Sequence, residues 1–571
     1  MRLPFIGPSY KGRSATINGQ ECVNFFLEFY GPKEEAKTTK ALIPTPGLKP
    51  FATSATDSPV RGLYTTSTGR LFAVIGKKLY EYRSTGLEIE RGTLLTSSGQ
   101  VSFADCGNGI ARGLGMILVD GSYGYVLNLS SNSFQQIKDP AFPTTSSVIF
   151  LNGYFIVNQV NSGRFWLSNV LNGMDWGDVQ ITVTSNSTIN TALGVVTLLT
   201  DPALDLSNLT YMVLSSGYST LTATIMSYNG LTGDLTVNVT SVEGTGSYNN
   251  WILQFYSGST AWATAESSSD NIQTIASIHG ELWLVGTQTT EVWASVSNTT
   301  GFPFQRLNGG IINNGTVARN SVNTNGSNIF WLGSSAQGHG QVWMSDGYQP
   351  TKISTPAIDY MIEAIDSVIE DAIGWCYTQE GHNFYILSFP TANRTFCFDL
   401  ASQEWHERGY WNDPLGQFDC HRAYTSAFCF DKVYVGDREL GKIYELSLDT
   451  YTDDGAIVRR VRTGSHIHED RKRVSFKSFE LDVERGQGLD GQTSDYGTGK
   501  DPQVMLQWSD DGGMTWGNEY WKSLGKIGEY KKRIIWHRLG MSRDRMFRVT
   551  TSDPTKIILV DARADMTVSG W

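Results

Sequence analysis

Apolar and polar residues alternate along most of this chain in short runs of four to eight, the period of half-buried strands. Glycine-containing turns separate the runs, and a loose unit recurs: apolar strand, glycine turn, second apolar strand, polar turn, short strand bearing an aromatic. It is legible at 60–83 (VRGLYTTSTGRLFAVIGKKLYEYR), 115–137, 147–169, 275–296, 328–354, 373–408 and 427–449. A four-stranded unit of ~40–50 residues that recurs in this way predicts a β-propeller, and these candidates fit six to eight blades. One such sheet has two apolar faces and needs a neighbour on each side.

Three stretches depart from the pattern. Residues 178–263 alternate Thr, Ser, Val and Leu without any Lys or Arg, and read as a small β-domain inserted in a blade connection. In 354–372, Ile358, Met361, Ile362, Ile365 and Ile369 follow helical spacing, with Ser354 or Thr355 as cap and Pro356 in the first turn. From about 474 the strands lengthen into the pattern of an antiparallel sandwich, interrupted by the Gly/Asp/Ser-rich loop 486–501. The expected fold is all-β: a propeller (60–177 plus 264–455), an inserted β-domain (178–263) and a C-terminal β-sandwich (456–571), preceded by an extended N-terminal segment (1–59).

Composition agrees with this class. The 571 residues include 59 Gly, and aromatics reach 12% against 18% charged. No run approaches the ~18 apolar residues of a membrane-spanning helix, and the N-terminus has no apolar signal core. Net charge is −11 but uneven: residues 1–455 carry 25 Lys/Arg against 40 Asp/Glu, and residues 456–548 carry 18 against 13. The basic excess lies in RRVR (Arg459, Arg460, Arg462), RKR (Arg471, Lys472, Arg473) and KKR (Lys531, Lys532, Arg533). These runs are candidate docking residues for an acidic partner or DNA phosphates; the competing reading is a solvated face.

The six cysteines form no CxxC pair and read as buried free thiols of a reducing cytoplasm. His466 and His468, with Glu469 and Asp470, have metal-ligand chemistry, but an outward polar face accounts for them better. No metal, cofactor or catalytic residue is expected, since nucleophile elbow, zinc-protease helix, Walker loop and dinucleotide fingerprint are all missing. The sharpest local match is the Asp-box pattern in 509–516 (SDDGGMTW), with Ser509, Asp511, Gly513, Thr515 and Trp516 as candidate hairpin residues. Such boxes occur in sialidases and in other β-repeat proteins, and their physical content is a turn. In the insert, Tyr211, Tyr218, Tyr228 and Trp251 are candidate surface aromatics, with core filling as the other reading.

Several of these segments, in this order, resemble the packaged-DNA stabilisation proteins of short-tailed phages, also called tail hub or nozzle proteins. They are GRSATINGQECVNFFLEFYGP (12–32, an "NxxLE" segment), LIPTPGLKPF (42–51, a "PGL" turn), the first blade 60–83, ISTPAIDYMI (353–362), FELDVERG (479–486), LQWSDDGGMTWG (506–517), 532–554 and LVDARADM (559–566). The insert resembles a β-module of phage tail and fibre proteins, absent from simple hubs. The resemblance implies a non-enzymatic virion tail protein, assembled in the host cytoplasm. It implies a homohexameric ring below the portal and adaptor that retains packaged double-stranded DNA, conducts it at ejection, and holds a needle or plug and fibres or tailspikes. The alternative is a receptor-binding or glycan-degrading tail protein with a sialidase-like Asp-box hairpin.

Overall fold

The computed structural model describes residues 1–31, 37–107, 115–139, 141–169, 171–174, 176, 179–202, 204, 206, 211–217, 219–256, 262–265, 270–296, 302–335, 338–365, 368–470, 472–490 and 499–568. Among these, helix is confined to Pro356–Glu363 and one 3-10 turn, Arg319–Ser321; the rest of the regular structure is strand.

Seven blades form the propeller; six lie in sheets of their own, and blade 6 is one end of an eleven-stranded sheet that continues into the sandwich. Blade 1 runs from Val60–Thr65 to Glu88–Thr93, blade 2 from Ser102–Asp105 to Phe134–Gln136, and blade 3 from Val148–Leu151 to Trp262–Thr264. Blade 4 spans Ile272–Ile278 to Phe304–Ile312, blade 5 Gly315–Thr316 to Thr351–Lys352, and blade 6 Ile373–Gln379 to Glu404–Arg408. Blade 7 takes three strands from 423–447 and its fourth, Gly47–Thr53, from the N-terminal end of the chain. This last strand joins the two ends of the ring by antiparallel pairing with Lys442–Ser447.

The period-2 pattern explains how the blades stack. In Leu71–Ile75, Leu71, Ala73 and Ile75 enter a cluster with Cys429, Tyr434 and Ile443 of blade 7. Phe72 and Val74 enter another with Met116 and Leu118 of blade 2. Comparable clusters fill each successive gap around the ring. Burying a Leu, Ile or Phe side chain is worth ~1.5–3 kcal/mol, so each gap carries a large share of the stability.

The stretch 1–59 is not a separate extended segment. Gly19–Val23 joins Arg460–Thr463, Asp544–Thr551, Gln503–Ser509 and Tyr520–Ser523 in one sandwich sheet. Phe25–Phe29 and Lys40–Pro44 join Leu559–Val568, Val474–Val483 and Ile534–His537 in the other. Leu3, Phe5, Ile6, Phe25, Leu27 and Leu42 are buried in the sandwich core beside Phe479, Trp536 and Phe547. Phe26, one residue out of phase, points the other way into the gap between blades 6 and 7.

Asn24 makes that crossover. Its φ is 57°, a left-handed value that Asn tolerates better than most residues. Its side-chain N–H donates to the carbonyls of Gly409 (2.9 Å) and Arg459 (2.8 Å), and its oxygen accepts from Gly409 N (3.0 Å). One amide thus ties the strap to the end of blade 6 and the start of the sandwich.

The helix stops at Glu363, capped by Thr355 with Pro356 in the first turn, well short of the expected end at 372. Ile365 and Ile369 still reach the cluster between blades 5 and 6. Tertiary burial satisfies those positions without further helix.

The insert is a six-stranded sheet built from Val179–Ser185, Gly194–Leu199, Tyr211–Ser216, Ser219–Asn229, Asp234–Glu243 and Trp251–Tyr256. It has its own core around Met212, Leu214, Leu235 and Phe255, and leaves the third strand of blade 3 before the chain returns to form the fourth. Val213 packs away from that core, against Trp176, Phe155 and Ile117 of the blade 2–3 gap. Val179 and Tyr256 are register partners, so a short linker can bridge the insert's two ends. Replacing 180–258 by a Gly/Ser linker is expected to leave a folded propeller, less stable by about 1–2 kcal/mol through loss of Val213. Thermal melting and soluble yield check this; total loss of folded protein would show that the insert is integral.

Candidate functional site

The basic runs do not form one patch. Arg462 is fully buried. Its Nε donates to the Phe5 carbonyl (2.6 Å), its Nη1 to those of Pro8 (2.7 Å) and Glu21 (3.3 Å), and its Nη2 to Gln20 Oε1 (2.7 Å). It is a staple for the N-terminal strap. Arg460 is also fully buried, over the Tyr451 ring at 5.8 Å, and its Nε and Nη2 have no hydrogen-bond partner among the described residues. The docking expectation for Arg460 and Arg462 is therefore corrected: their strand is covered on both sides by the strap and the neighbouring strand Asp544–Thr551.

Of the other candidates, Arg459 lies over Trp411 (4.5 Å) and pairs with Glu519 (3.4 Å). Lys472, Arg473, Lys531 and Arg533 are exposed, and Arg533 is held bidentately by Glu480 at 3.0 Å. Lys532 is half-buried, on Ser523 Oγ (2.6 Å) and Glu529 (3.3 Å). Arg471 lies outside the described residues.

Burial also controls the charge beside Arg460. Asp453 accepts from Leu48 N (3.2 Å), and desolvation pushes its carboxyl up to about 6 while pushing Arg460 down to about 10. Both shifts favour the neutral forms, so lost hydration outweighs their mutual attraction here.

At 509–516 the chain makes a self-bonded turn between Gln503–Ser509 and Tyr520–Ser523. Ser509 Oγ donates to Asp511 Oδ1 (2.6 Å) and accepts from Gly513 N (2.8 Å). Asp511 also accepts from Thr515 N (2.9 Å) and Thr515 Oγ1 (2.5 Å). These bonds, from Ser509 and Thr515 foremost, hold its carboxyl well below the usual range. A carboxylate so occupied anchors a loop and has no proton to give. Gly513 has φ 90°, and Trp516 lies under the Arg548 guanidinium at 3.8 Å. Sequence reasoning missed Asp510, whose carboxylate grips buried Arg545 through two bonds of 2.6 and 2.8 Å. Its only sequence signal is an acid inside the box, next to the patterned Asp511.

In the insert, Trp251 is fully buried in the sheet's core, which corrects its reading as a surface aromatic. Tyr228 is half-buried, donating to the Asp201 carbonyl (2.7 Å) and accepting from Leu204 N (3.0 Å). The Tyr211 side chain and Tyr218 lie outside the described residues. His466 is engaged at both nitrogens, Nδ1 with Asp544 (2.8 Å) and Nε2 with the Ala15 carbonyl (2.7 Å). Among the described residues no group of three His, Cys, Asp or Glu side chains could hold a metal ion.

The comparisons with known proteins bear on these two domains separately. A family model described as "Bacteriophage P22 Gp10, beta-propeller" matches residues 23–199 and 256–451. A second, "Bacteriophage P22 Gp10, beta-sandwich", matches 459–567. No curated protein matches the sequence. Similar solved structures include the computationally designed Ika8 protein (9% identity, TM-score 0.32, covering 70% of this chain and 99% of that one). Others are YCF48 bound to D1 peptide (12%, 0.33, 70% and 97%) and YCF48 from Cyanidioschyzon merolae (10%, 0.26, 70% and 98%). At these scores the structural likenesses carry no argument about fold or function.

Two outcomes are expected. Arg462→Met strands three backbone carbonyls that accept from Arg462 and should cost about 3 kcal/mol or more, read as a lower denaturant midpoint and earlier proteolysis within 1–44. For Asp453 the folded carboxyl binds its proton more tightly than the unfolded one, near 3.9, so its contribution to stability falls as pH rises from about 4 to about 6. The advantage of Asp453→Asn over the parent should therefore grow by about 2–3 kcal/mol between pH 4 and pH 7, measured by urea unfolding. A pH-independent difference would refute the assignment.

Proposed function

The chain belongs to the bacteriophage P22 Gp10 family, phage tail structural proteins that stabilise packaged DNA, and from that premise we propose that it builds the nozzle of a virion tail. Copies of the chain close into a ring, six of them by the family resemblance. The ring sits below the portal and adaptor, retains packaged DNA, passes it at ejection, and holds a needle or plug together with fibres or tailspikes. The chain is a structural part and not an enzyme.

The observation that carries this reading is that both family models match in chain order, over 23–199 and 256–451 for the propeller and 459–567 for the sandwich. Three physical features support it. The acidic excess of residues 1–455 suits a body past which DNA phosphates must slide without adhering. The exposed Lys472, Arg473 and Lys531 suit docking on an acidic neighbour such as the adaptor. The six cysteines are free, and burial raises the thiols of Cys22 and Cys397 to about 12, as suits assembly in a reducing host cytoplasm.

Negative-stain images of the purified chain, alone or on portal–adaptor complexes, should show rings with six-fold symmetry. A persistent monomer or trimer that releases sugars from host polysaccharide would overturn the reading in favour of a depolymerising tail protein.

A further inference from the structure

Between blades 4 and 5 lies a cleft of about 610 Å³ whose chemistry the nozzle reading does not use. Blade 4 supplies Gln288 and Thr289 from a hairpin turn, the link to blade 5 supplies Asn313 and Asn314, and the blade 5 strand Gly338–Ser345 supplies Gln341 and Trp343. None of the described lining residues is charged.

The walls are set in advance. The Asp270 carboxylate accepts from Gln288 N (2.8 Å) and Thr289 N (2.9 Å), which fixes the turn. Gly315 lets blade 5 start directly against that turn: a Cβ there would lie 2.4 Å from the Gly286 carbonyl oxygen and 2.5 Å from Gln288 N. Gly333 does the same for the indole, since a Cβ there would lie 2.3 Å from Trp343 Cδ1. Trp343 therefore rests against bare backbone, half-buried, with part of its surface left open.

Four carboxamide residues line this space: Gln288, Asn313 and Gln341 are exposed and Asn314 is half-buried, and none of their side chains has a hydrogen-bond partner among the described residues, so water covers them when the cleft is empty. Each presents two N–H donors and an acceptor in one plane. That array suits vicinal hydroxyls, which donate and accept at once. An ion would find no counter-charge here. A wholly apolar ligand would strip water from four amides and return no bond. The indole supplies the apolar surface against which the C–H face of a pyranose ring can lie. The volume falls within the ~300–1,000 Å³ of small-ligand sites.

We propose that this cleft binds an uncharged saccharide, a short run of neutral hexoses, without cleaving it. The proposal stands on the cleft alone and does not require the nozzle reading.

The test is ligand-observed saturation-transfer NMR on the full chain. The probes are maltotetraose, mannotetraose, chitotetraose and a β-galactotetraose, with sialyllactose as the charged comparison. Saturation transfer is expected from at least one neutral probe, with a Kd between ~0.1 and ~5 mM. Trp343→Ala should abolish it. Because that variant removes a partly buried ring, Asn313→Ala/Gln341→Ala, at two exposed positions, is the second arm. It should weaken binding about tenfold with an unchanged melting temperature. Transfer from no neutral probe, from sialyllactose only, or at equal strength in the double variant would overturn the proposal.

Discussion

A propeller blade has two apolar faces and cannot stand alone, so everything in this molecule depends on closing the ring. Seven blades give seven gaps only if the last blade is completed against the first. Here the completing strand, Gly47–Thr53, comes from the opposite end of the propeller sequence. Its entry is tight. A side chain on Gly47 would lie 2.3 Å from the Thr450 carbonyl oxygen, and Leu48, immediately after, is fully buried between blades 6 and 7. The Pro-Gly-Leu turn of the family resemblance thus has a physical reason: the residue at 47 must have no side chain, and the next must have an apolar one.

The same strap that closes the ring also builds the sandwich. Phe25 and Leu27 enter the sandwich core while Phe26 enters the propeller, so one strand serves both domains through its two faces. Val23 adds a backbone link to Glu407 of blade 6, in parallel register. The buried Arg462 draws the first residues onto this seam by four hydrogen bonds, three of them to carbonyls that would otherwise be stranded. An internal arginine of this kind is costly to desolvate. It holds its place because guanidinium donors spread over several acceptors in a way that no apolar residue can imitate.

Local structure was legible in the sequence wherever strands that pair are also adjacent in the chain. The apolar–glycine–apolar units predicted blade hairpins because the turn and both strands lie within one short window. The insert was legible from its charge-poor alternation. What escaped was pairing between distant segments. Nothing in LKPFAT (48–53) says that its partner lies some four hundred residues further on. Nor does RRVR say that alternate arginines, 460 and 462, point inward. By charge alone the run reads as surface, and only the strand period, applied to polar residues as well as apolar ones, would have raised the question. The helix failed in the opposite sense. Its isoleucines are spaced as a helix requires, but a packed wedge between two blades satisfies Ile365 and Ile369 beyond the last helical turn.

Polar groups divide by the same logic. Many polar groups are spent on internal bonds, at the surface as well as beneath it: exposed Asp511 within its turn, exposed Asp510 on buried Arg545, buried Asn24 across the seam. The amides between blades 4 and 5 differ. Asp270 anchors the Gln288–Thr289 turn through its backbone, and the four carboxamide side chains have no hydrogen-bond partner among the described residues. A wall of carboxamides beside a half-buried indole can exchange its water for a partner that both donates and accepts, and the lack of charge among its described lining residues selects one rich in hydroxyl groups.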